Sequence, residues 1–233
     1  MKKMAIFVEG QTEQQFVESL IYAIAGRQRV HVDSSKGRGG KLFPRHFIEI
    51  NASRPDPEKL YYVAIYDSAC DSRVLSDIRD RYESLQAQEY SEIIGLRDLY
   101  PLSRMDECEV RDNFSALTPS GIVPVTLSLA IMEIEAWFIA ESSHFWRVNS
   151  SLTHQVVCDT LGYDPSKYDV RDIDVPSQHI QRVYSVAGIG YNKSRRHVER
   201  TVQSLDYAIT YLELTRRIPD LDTLVSCIDR FLL

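Results

Sequence analysis

The stretch that decides the fold is Met4-Ala5-Ile6-Phe7-Val8-Glu9-Gly10-Gln11-Thr12-Glu13. Its first five residues are apolar and predict a buried β-strand. The strand ends at the carboxylate of Glu9 and at Gly10, whose backbone can turn freely, and Thr12 can begin a helix. Because open α/β sheets place their chemistry at the carboxyl ends of their strands, Glu9 is a candidate site residue.

A second strand repeats this arrangement. Residues 60–66 are mostly apolar or aromatic, and the strand ends at Asp67, with Asp71 close behind. Two buried strands that deliver acids to one sheet edge predict a divalent-metal site held by Glu9, Asp67 and Asp71. Mg²⁺ or Mn²⁺ is the expected ion, because these hard cations prefer carboxylate oxygens.

Strands and helices alternate through the first 145 residues, which predicts an α/β fold with a mostly parallel sheet covered on both faces. Two segments break the alternation: residues 34–41 (SSKGRGGK) predict a flexible basic loop, and residues 42–50 predict a helix. Beyond residue 145 the strand signals fade and a helical C-terminal extension is expected. We therefore expect a core over 1–100, its continuation over 101–145, and a helical cap of the same domain over 146–233.

Composition and net charge limit the classes of function that fit this chain. The chain has 233 residues, 44% of them hydrophobic, and a net charge of −6, so binding to nucleic acid would need a local basic patch or a bridging metal. Its four cysteines form no CxxC pair and its histidines no HxH or HxxxH pair, which predicts reduced thiols and gives little support for zinc. No signal peptide and no membrane-spanning run is evident, so we expect a cytoplasmic protein.

The opening Glu9-Gly10-Gln11-Thr12-Glu13, followed by the strand that ends at Asp67, resembles a Toprim domain over about residues 4–97. This α/β fold is shared by primases, topoisomerases and the overcoming-lysogenization-defect nucleases. Together with Met132-Glu133-Ile134-Glu135-Ala136-Trp137, the chain looks most like a bacterial Toprim-like family of unknown function. Its members are often encoded beside an ABC- or AAA-type ATPase in apparent phage-defence pairs.

The resemblance implies roles for particular residues. Glu9 matches the Toprim glutamate, a metal ligand or general acid–base group, and Asp67 matches the first aspartate of the family's Asp-x-Asp. Ala69 stands where the family has the second aspartate, so the chain departs from the pattern there. Such a domain would bind one metal ion instead of two, or none.

Further residues complete the predicted site. Glu133 and Glu135, which follow another apolar run, are candidate ligands for a second ion. Lys193 is the expected cation facing the phosphate and is counted with Glu9 and Asp67 as catalytic. The candidate nucleic-acid contacts are Arg38, Lys41, Arg195 and Arg196. Asp98, at another strand end, is expected to be a turn residue.

Two functions are compatible with the sequence. The first is a metal-dependent nuclease that hydrolyses phosphodiesters in nucleic acid, acting as the effector of an ATPase partner. The second is a non-catalytic Toprim-like subunit that serves as a binding or sensor module of an ATPase complex. Apolar surface on the C-terminal helices would suit a homodimer or the ATPase equally well.

Overall fold

A computed structural model describes residues 1–40, 43–51, 56 and 58–233 of the chain. It confirms the α/β fold: a six-stranded, mostly parallel sheet is flanked by helices, with further helices toward the C-terminus. The order of the strands across the sheet is β3-β2-β4-β1-β5-β6. The strands are β1 (Lys2–Val8), β2 (Val30–Arg38), β3 (His46–Asn51), β4 (Tyr61–Asp67), β5 (Tyr90–Asp98) and β6 (Val125–Ala130).

The longer helices carry apolar residues at helical spacing, and the shorter ones cluster in the second half of the chain. They are α1 (Gln11–Ala25), α2 (Asp71–Ala87), α3 (Glu107–Leu117), α4 (Glu135–Ala140), α5 (His144–Val148), α6 (His154–Leu161), α7 (Pro176–Val186), α8 (Arg195–Ser204), α9 (Tyr207–Leu212) and α10 (Pro219–Leu232). Among the described residues, no helix is long and apolar enough to cross a membrane.

The chain divides into two compact units. The first comprises Met1–Arg97, Cys108–Leu129 and Thr223–Leu233, and the second comprises Asp98–Glu107 and Ala130–Asp222. The domain boundaries predicted at residues 100 and 145 remain a prediction.

Strand β1 lies at the centre of the first unit. It pairs in parallel with β4 on one side and with β5 on the other, and its residues from Met4 to Val8 are fully buried. Both faces are therefore apolar, as is typical of a strand that is covered by helices on both sides. One cluster of the core packs α2 and α3 against the sheet through residues that include Phe7, Ile78 and Phe114.

Two sequence predictions about the first unit are wrong. Residues 46–51 form strand β3 instead of part of a helix, and residues 34–38 belong to β2 instead of a loop. The two segments pair in antiparallel fashion at the edge of the sheet, with Gly37 opposite Phe47. The ring of Phe47 packs edge-on against Phe7 and Tyr66, and this packing favours a strand in a segment whose other apolar residues, Ile48 and Ile50, are exposed.

The second unit packs its helices around aromatic side chains. The ring of the fully buried Tyr184 contacts those of Phe145 and His144, and its hydroxyl lies 2.9 Å from the hydroxyl of Thr201. Burial lowers the pKa of His144 to about 4, so this imidazole is neutral at neutral pH.

The hydroxyl of Tyr82 satisfies two buried backbone groups at once. It donates a hydrogen bond to the carbonyl of Val123 (2.9 Å) and accepts one from the amide of the same residue (3.1 Å). Replacement of Tyr82 by Phe would leave both groups without this partner. We expect a loss of about 1–3 kcal/mol in the free energy of unfolding, measured by chemical denaturation. The exposed Tyr100→Phe is the control, and equal stability of the two variants would contradict the assignment.

Candidate functional site

The carboxyl end of β1 and that of β4 meet at one edge of the sheet in the first unit. In the parallel register Val8 lies opposite Asp67, so Glu9, the next residue after β1, follows at the same edge. Glu9 is half-buried, whereas Asp67 is completely buried. The structure therefore brings together the ends of the two strands on which the predicted metal site depends.

The carboxylate of Asp67 has a defined set of partners. One oxygen accepts a hydrogen bond from the amide of Ala69 (2.8 Å), and the other lies 2.9 Å from the ammonium of Lys36. Lys36 lies opposite Asp67 in the register of β2 with β4, so the pairing of the strands fixes this ion pair. Ala69 has a positive φ of 65°, which is uncommon for a residue other than glycine. Ala69 thus contributes a backbone donor to Asp67 and no carboxylate.

Asp71, the first residue of α2, forms an ion pair with Arg97, with 3.1 Å between the carboxylate and the guanidinium. Arg97 directly follows Leu96, which lies opposite Val8 in the register of β1 with β5. Cationic side chains of β2 (Lys36) and β5 (Arg97) therefore pair with the acids at this edge. A metal-binding role for Asp71 remains a prediction.

A pocket of about 450 Å³ lies beside the end of β4 and the start of α2. Three of the side chains that line it are arginines, Arg38, Arg45 and Arg73. Arg45 donates hydrogen bonds to the carboxylate of Asp77 and to the carbonyl of Ser68, and the bond to Asp77 raises the pKa of Arg45. Asp77 thus neutralises Arg45, and the positive charge of the pocket comes from Arg38 and Arg73.

The structure treats the two basic residues predicted in this region differently. Arg38 lines the pocket, whereas Lys41 lies outside the described residues. Gly39 has a φ of +79°, and a Cβ atom at this position would lie 2.5 Å from the carbonyl oxygen of Pro44. The backbone beside the pocket therefore requires glycine here.

In the second unit, Lys193 binds both predicted acids. Its ammonium lies 2.9 Å from Glu133 and 3.1 Å from Glu135. Glu135 is fully buried and accepts a hydrogen bond from the hydroxyl of Tyr191 (2.8 Å), while Glu133 accepts two from the amide and hydroxyl of Ser177. The sequence predicted a phosphate contact for Lys193, and in the structure its ammonium contacts these carboxylates.

Negative charge exceeds positive charge around Lys193. Burial lowers the pKa of its ammonium, but the attraction of Glu135, Asp98 and Glu133 outweighs this effect and raises the pKa above its ordinary value. Burial raises the pKa of the Glu135 carboxyl, and the positive charge of Lys193 opposes this rise. A single ammonium thus faces two carboxylates, and this excess of negative charge favours uptake of a proton by Glu135.

Asp98 has a structural task that the sequence did not indicate. It ends β5, is buried, and accepts a hydrogen bond from the amide of Ile134 (2.9 Å). The prediction that it is merely a turn residue is wrong, because its carboxylate holds the segment that carries Glu133 and Glu135. Arg195 and Arg196 are exposed at the start of α8, and their contact with nucleic acid remains a prediction.

Sequence reasoning missed one cluster of the second unit. His154, Cys158 and Asp164 offer ligand atoms that all lie within 4.8 Å of one another. The sequence does carry a local signal for this cluster. His154 and Cys158 are four residues apart and therefore lie on the same side of α6. Asp164 could not have been added from spacing alone, because the turn at Gly162 brings it back.

Comparisons with known proteins leave the function unassigned. No protein-family model matches the chain, and no curated protein matches it. A solved structure, that of a hypothetical protein from Pyrococcus horikoshii, is similar with a TM-score of 0.47 and 13% sequence identity, and the match covers 100% of both chains.

Replacement of Lys193 by Met tests the charge balance around Glu133 and Glu135. Two buried carboxylates would lose their counterion, and we expect a loss of about 3–5 kcal/mol in the free energy of unfolding at neutral pH. The pKa of Glu135 is already raised in the folded state and would rise further. Stability from such a group is present at low pH and is lost as the pH increases through the raised pKa.

The deficit of Lys193→Met should therefore shrink as the pH is lowered from 8 to 5, measured by denaturant unfolding at each pH. The exposed Lys167→Met serves as the control, with no such trend expected. A deficit for Lys193→Met that is independent of pH would contradict this account.

Proposed function

We propose that the protein is a divalent-metal-dependent nuclease of Toprim type that hydrolyses phosphodiester bonds in nucleic acid. The observation that carries this proposal is the register of β1 with β4, which places Glu9 and the buried Asp67 at the same edge of the sheet. This is the edge at which open α/β sheets bind their ligands. The Toprim resemblance of the same two residues supports the proposal.

The chemistry of Asp67 fits a cation. Its carboxylate is fully buried and already lies against a positive charge, the ammonium of Lys36 at 2.9 Å. Glu9 and Asp67 would hold Mg²⁺ or Mn²⁺ through oxygen atoms, the ligand type that these ions prefer. The ion would activate a water molecule and neutralise charge on the phosphate.

Lys36 acts as the competitor for this position. About 30% of its side chain is exposed, and its long flexible stem allows the ammonium to leave Asp67 when a cation binds. The amide of Ala69 continues to orient Asp67 from the other side (2.8 Å), so the carboxylate keeps its direction. The chain itself thereby supplies both an oriented ligand and a charge that can be exchanged.

The arginine-lined pocket would receive the substrate. Arg38, Arg45 and Arg73 line it beside Ser68 and Ala69, immediately after the candidate ligand Asp67. The guanidinium groups of Arg38 and Arg73 suit phosphate because they can donate paired hydrogen bonds, whereas Arg45 is already paired with Asp77. In a chain with a net charge of −6, such a local patch provides the electrostatic attraction that the protein as a whole lacks.

The second candidate is a non-catalytic binding or sensor subunit of an ATPase complex, and one observation favours it. Asp67 and Asp71 are both paired with cationic side chains, Lys36 and Arg97, while Ala69 contributes no carboxylate. The proposal that either form works with an ABC- or AAA-type ATPase, as a phage-defence effector, rests on the family resemblance alone.

Glu9→Gln tests the nuclease directly. The amide keeps the size of the side chain but removes the negative charge that a metal requires. We expect Mn²⁺ binding, measured by calorimetry, to weaken at least tenfold, equivalent to about 1.4 kcal/mol, and plasmid and RNA cleavage to be lost. Glu83→Gln, on the exposed side of α2, is the matched control. Unchanged cleavage by folded Glu9→Gln would refute the role of Glu9 as a metal ligand. Absence of both Mn²⁺ binding and cleavage in the wild type would favour the second candidate.

Lys36→Met tests the site from the opposite direction. Removal of the competing ammonium leaves Asp67 without its counterion, so the variant should be less stable without metal and should bind Mn²⁺ about tenfold more tightly. Calorimetric titration and unfolding with and without Mn²⁺ measure the two effects. Lys59→Met is the control. Unaltered affinity in Lys36→Met would show that Asp67 is not a ligand.

A further inference from the structure

A mixed set of nitrogen, sulfur and oxygen atoms converges on one face of α6 in the second unit. His154 and Cys158 lie one helical turn apart, with 3.5 Å between Nε2 of the imidazole and Sγ of the thiol. The helix ends at Gly162, which has a left-handed φ of 82°, and the chain turns back. Asp164 then places its Oδ1 atom 3.6 Å from Nε2 of His154.

From this geometry we propose that His154, Cys158 and Asp164 form a binding site for a zinc ion. Tetrahedral zinc with bonds of about 2.0–2.3 Å to nitrogen, oxygen and sulfur requires neighbouring ligand atoms about 3.3–3.6 Å apart. The separations of His154 from Cys158 (3.5 Å) and from Asp164 (3.6 Å) meet this requirement, and Cys158 and Asp164 offer ligand atoms within 4.8 Å of each other. Three protein ligands leave a fourth position for water or another small ligand.

The donor set selects the metal. A thiolate and an imidazole favour Zn²⁺ and the related Co²⁺, whereas Mg²⁺ and Mn²⁺ prefer sites built entirely from oxygen. This site is therefore chemically different from the one proposed around Glu9 and Asp67, and it stands independently of that proposal.

Neighbouring groups orient the aspartate toward the cluster. Oδ1 of Asp164 accepts hydrogen bonds from the amide (3.0 Å) and the hydroxyl (2.6 Å) of Ser166, and Oδ2 lies 3.0 Å from the ammonium of Lys167. These contacts hold the carboxylate on the side of His154. Such support from surrounding residues is a general feature of metal sites. The Lys167 side chain is 82% exposed and can leave the carboxylate.

The cluster is accessible to an ion from solvent. The His154 side chain is 60% exposed and also lines a pocket of about 600 Å³ together with Trp146 and Arg147. Zinc bound there would join α6 to the turn that follows it and fix the loop from Gly162 to Lys167. We therefore expect the ion to stabilise the second unit locally.

The test uses the full chain after removal of metals with a chelator. Zinc should bind with a stoichiometry of one, measured by competition with a chromogenic chelator and by a rise in the melting temperature. Co²⁺ should give thiolate charge-transfer absorption, because that band requires a cysteine ligand. Cys158→Ser should abolish the band, and His154→Gln and Asp164→Asn should each weaken zinc binding at least tenfold.

Cys108→Ser and His46→Gln are the matched controls, since both residues are exposed and lie outside the cluster. Absence of stoichiometric zinc binding, or binding and a cobalt band that persist in Cys158→Ser, would overturn the proposal. Circular dichroism of each variant establishes that it is folded. Cleavage supported by Mg²⁺ should be unaffected in Cys158→Ser, so failure of this proposal and failure of the nuclease proposal are distinguishable.

Discussion

The parallel pairing of β1 with β4 and β5 is the constraint on which the first unit depends. Because β1 is buried on both faces, it cannot shift by a residue without moving every one of its side chains to the opposite face of the sheet. The same register brings Glu9, the residue after Val8, to the sheet edge at which Asp67 lies, and the pairing of β4 with β2 sets Lys36 opposite Asp67. Hydrophobic packing thus determines the geometry of a polar site that contributes little to that packing itself.

Several buried acids of the first unit are each paired with a cationic side chain. In the first unit Asp67 is paired with Lys36 and Asp77 with Arg45, and Glu92 binds Arg230. Such pairs are costly to break, because the remaining charge is left in a poorly solvated position, yet they add little net stability. A buried acid paired in this way is therefore weak evidence for function, and the position of Asp67 at the sheet edge carries more weight than its burial.

The sequence predicts those elements that form through local interactions better than those that depend on contacts between distant parts of the chain. Long apolar runs predicted β1 and β4, because burial alone decides such strands. Apolar runs alone could not predict β3, because its strand conformation depends on pairing with β2. Glu9 and Asp67 were recognisable as strand-end acids, whereas Lys36 was not, because its partner is set by a register between segments about 30 residues apart. His154 and Cys158 carried a readable helical spacing, but Asp164 required the turn at Gly162.

The two proposed metal sites differ in a way that makes their occupancy separable. At the edge of the sheet the donors are carboxylate oxygens, and the competitor for Asp67 is an ammonium held in place by strand pairing. At α6 one of the donors is a thiol, whose pKa is raised by partial burial and by the nearby Asp164 and Asp159. Binding of zinc must therefore expel a proton from Cys158, whereas binding of Mg²⁺ at Asp67 must displace Lys36. The affinity for zinc therefore falls as the pH is lowered, because the proton released from Cys158 competes with the ion.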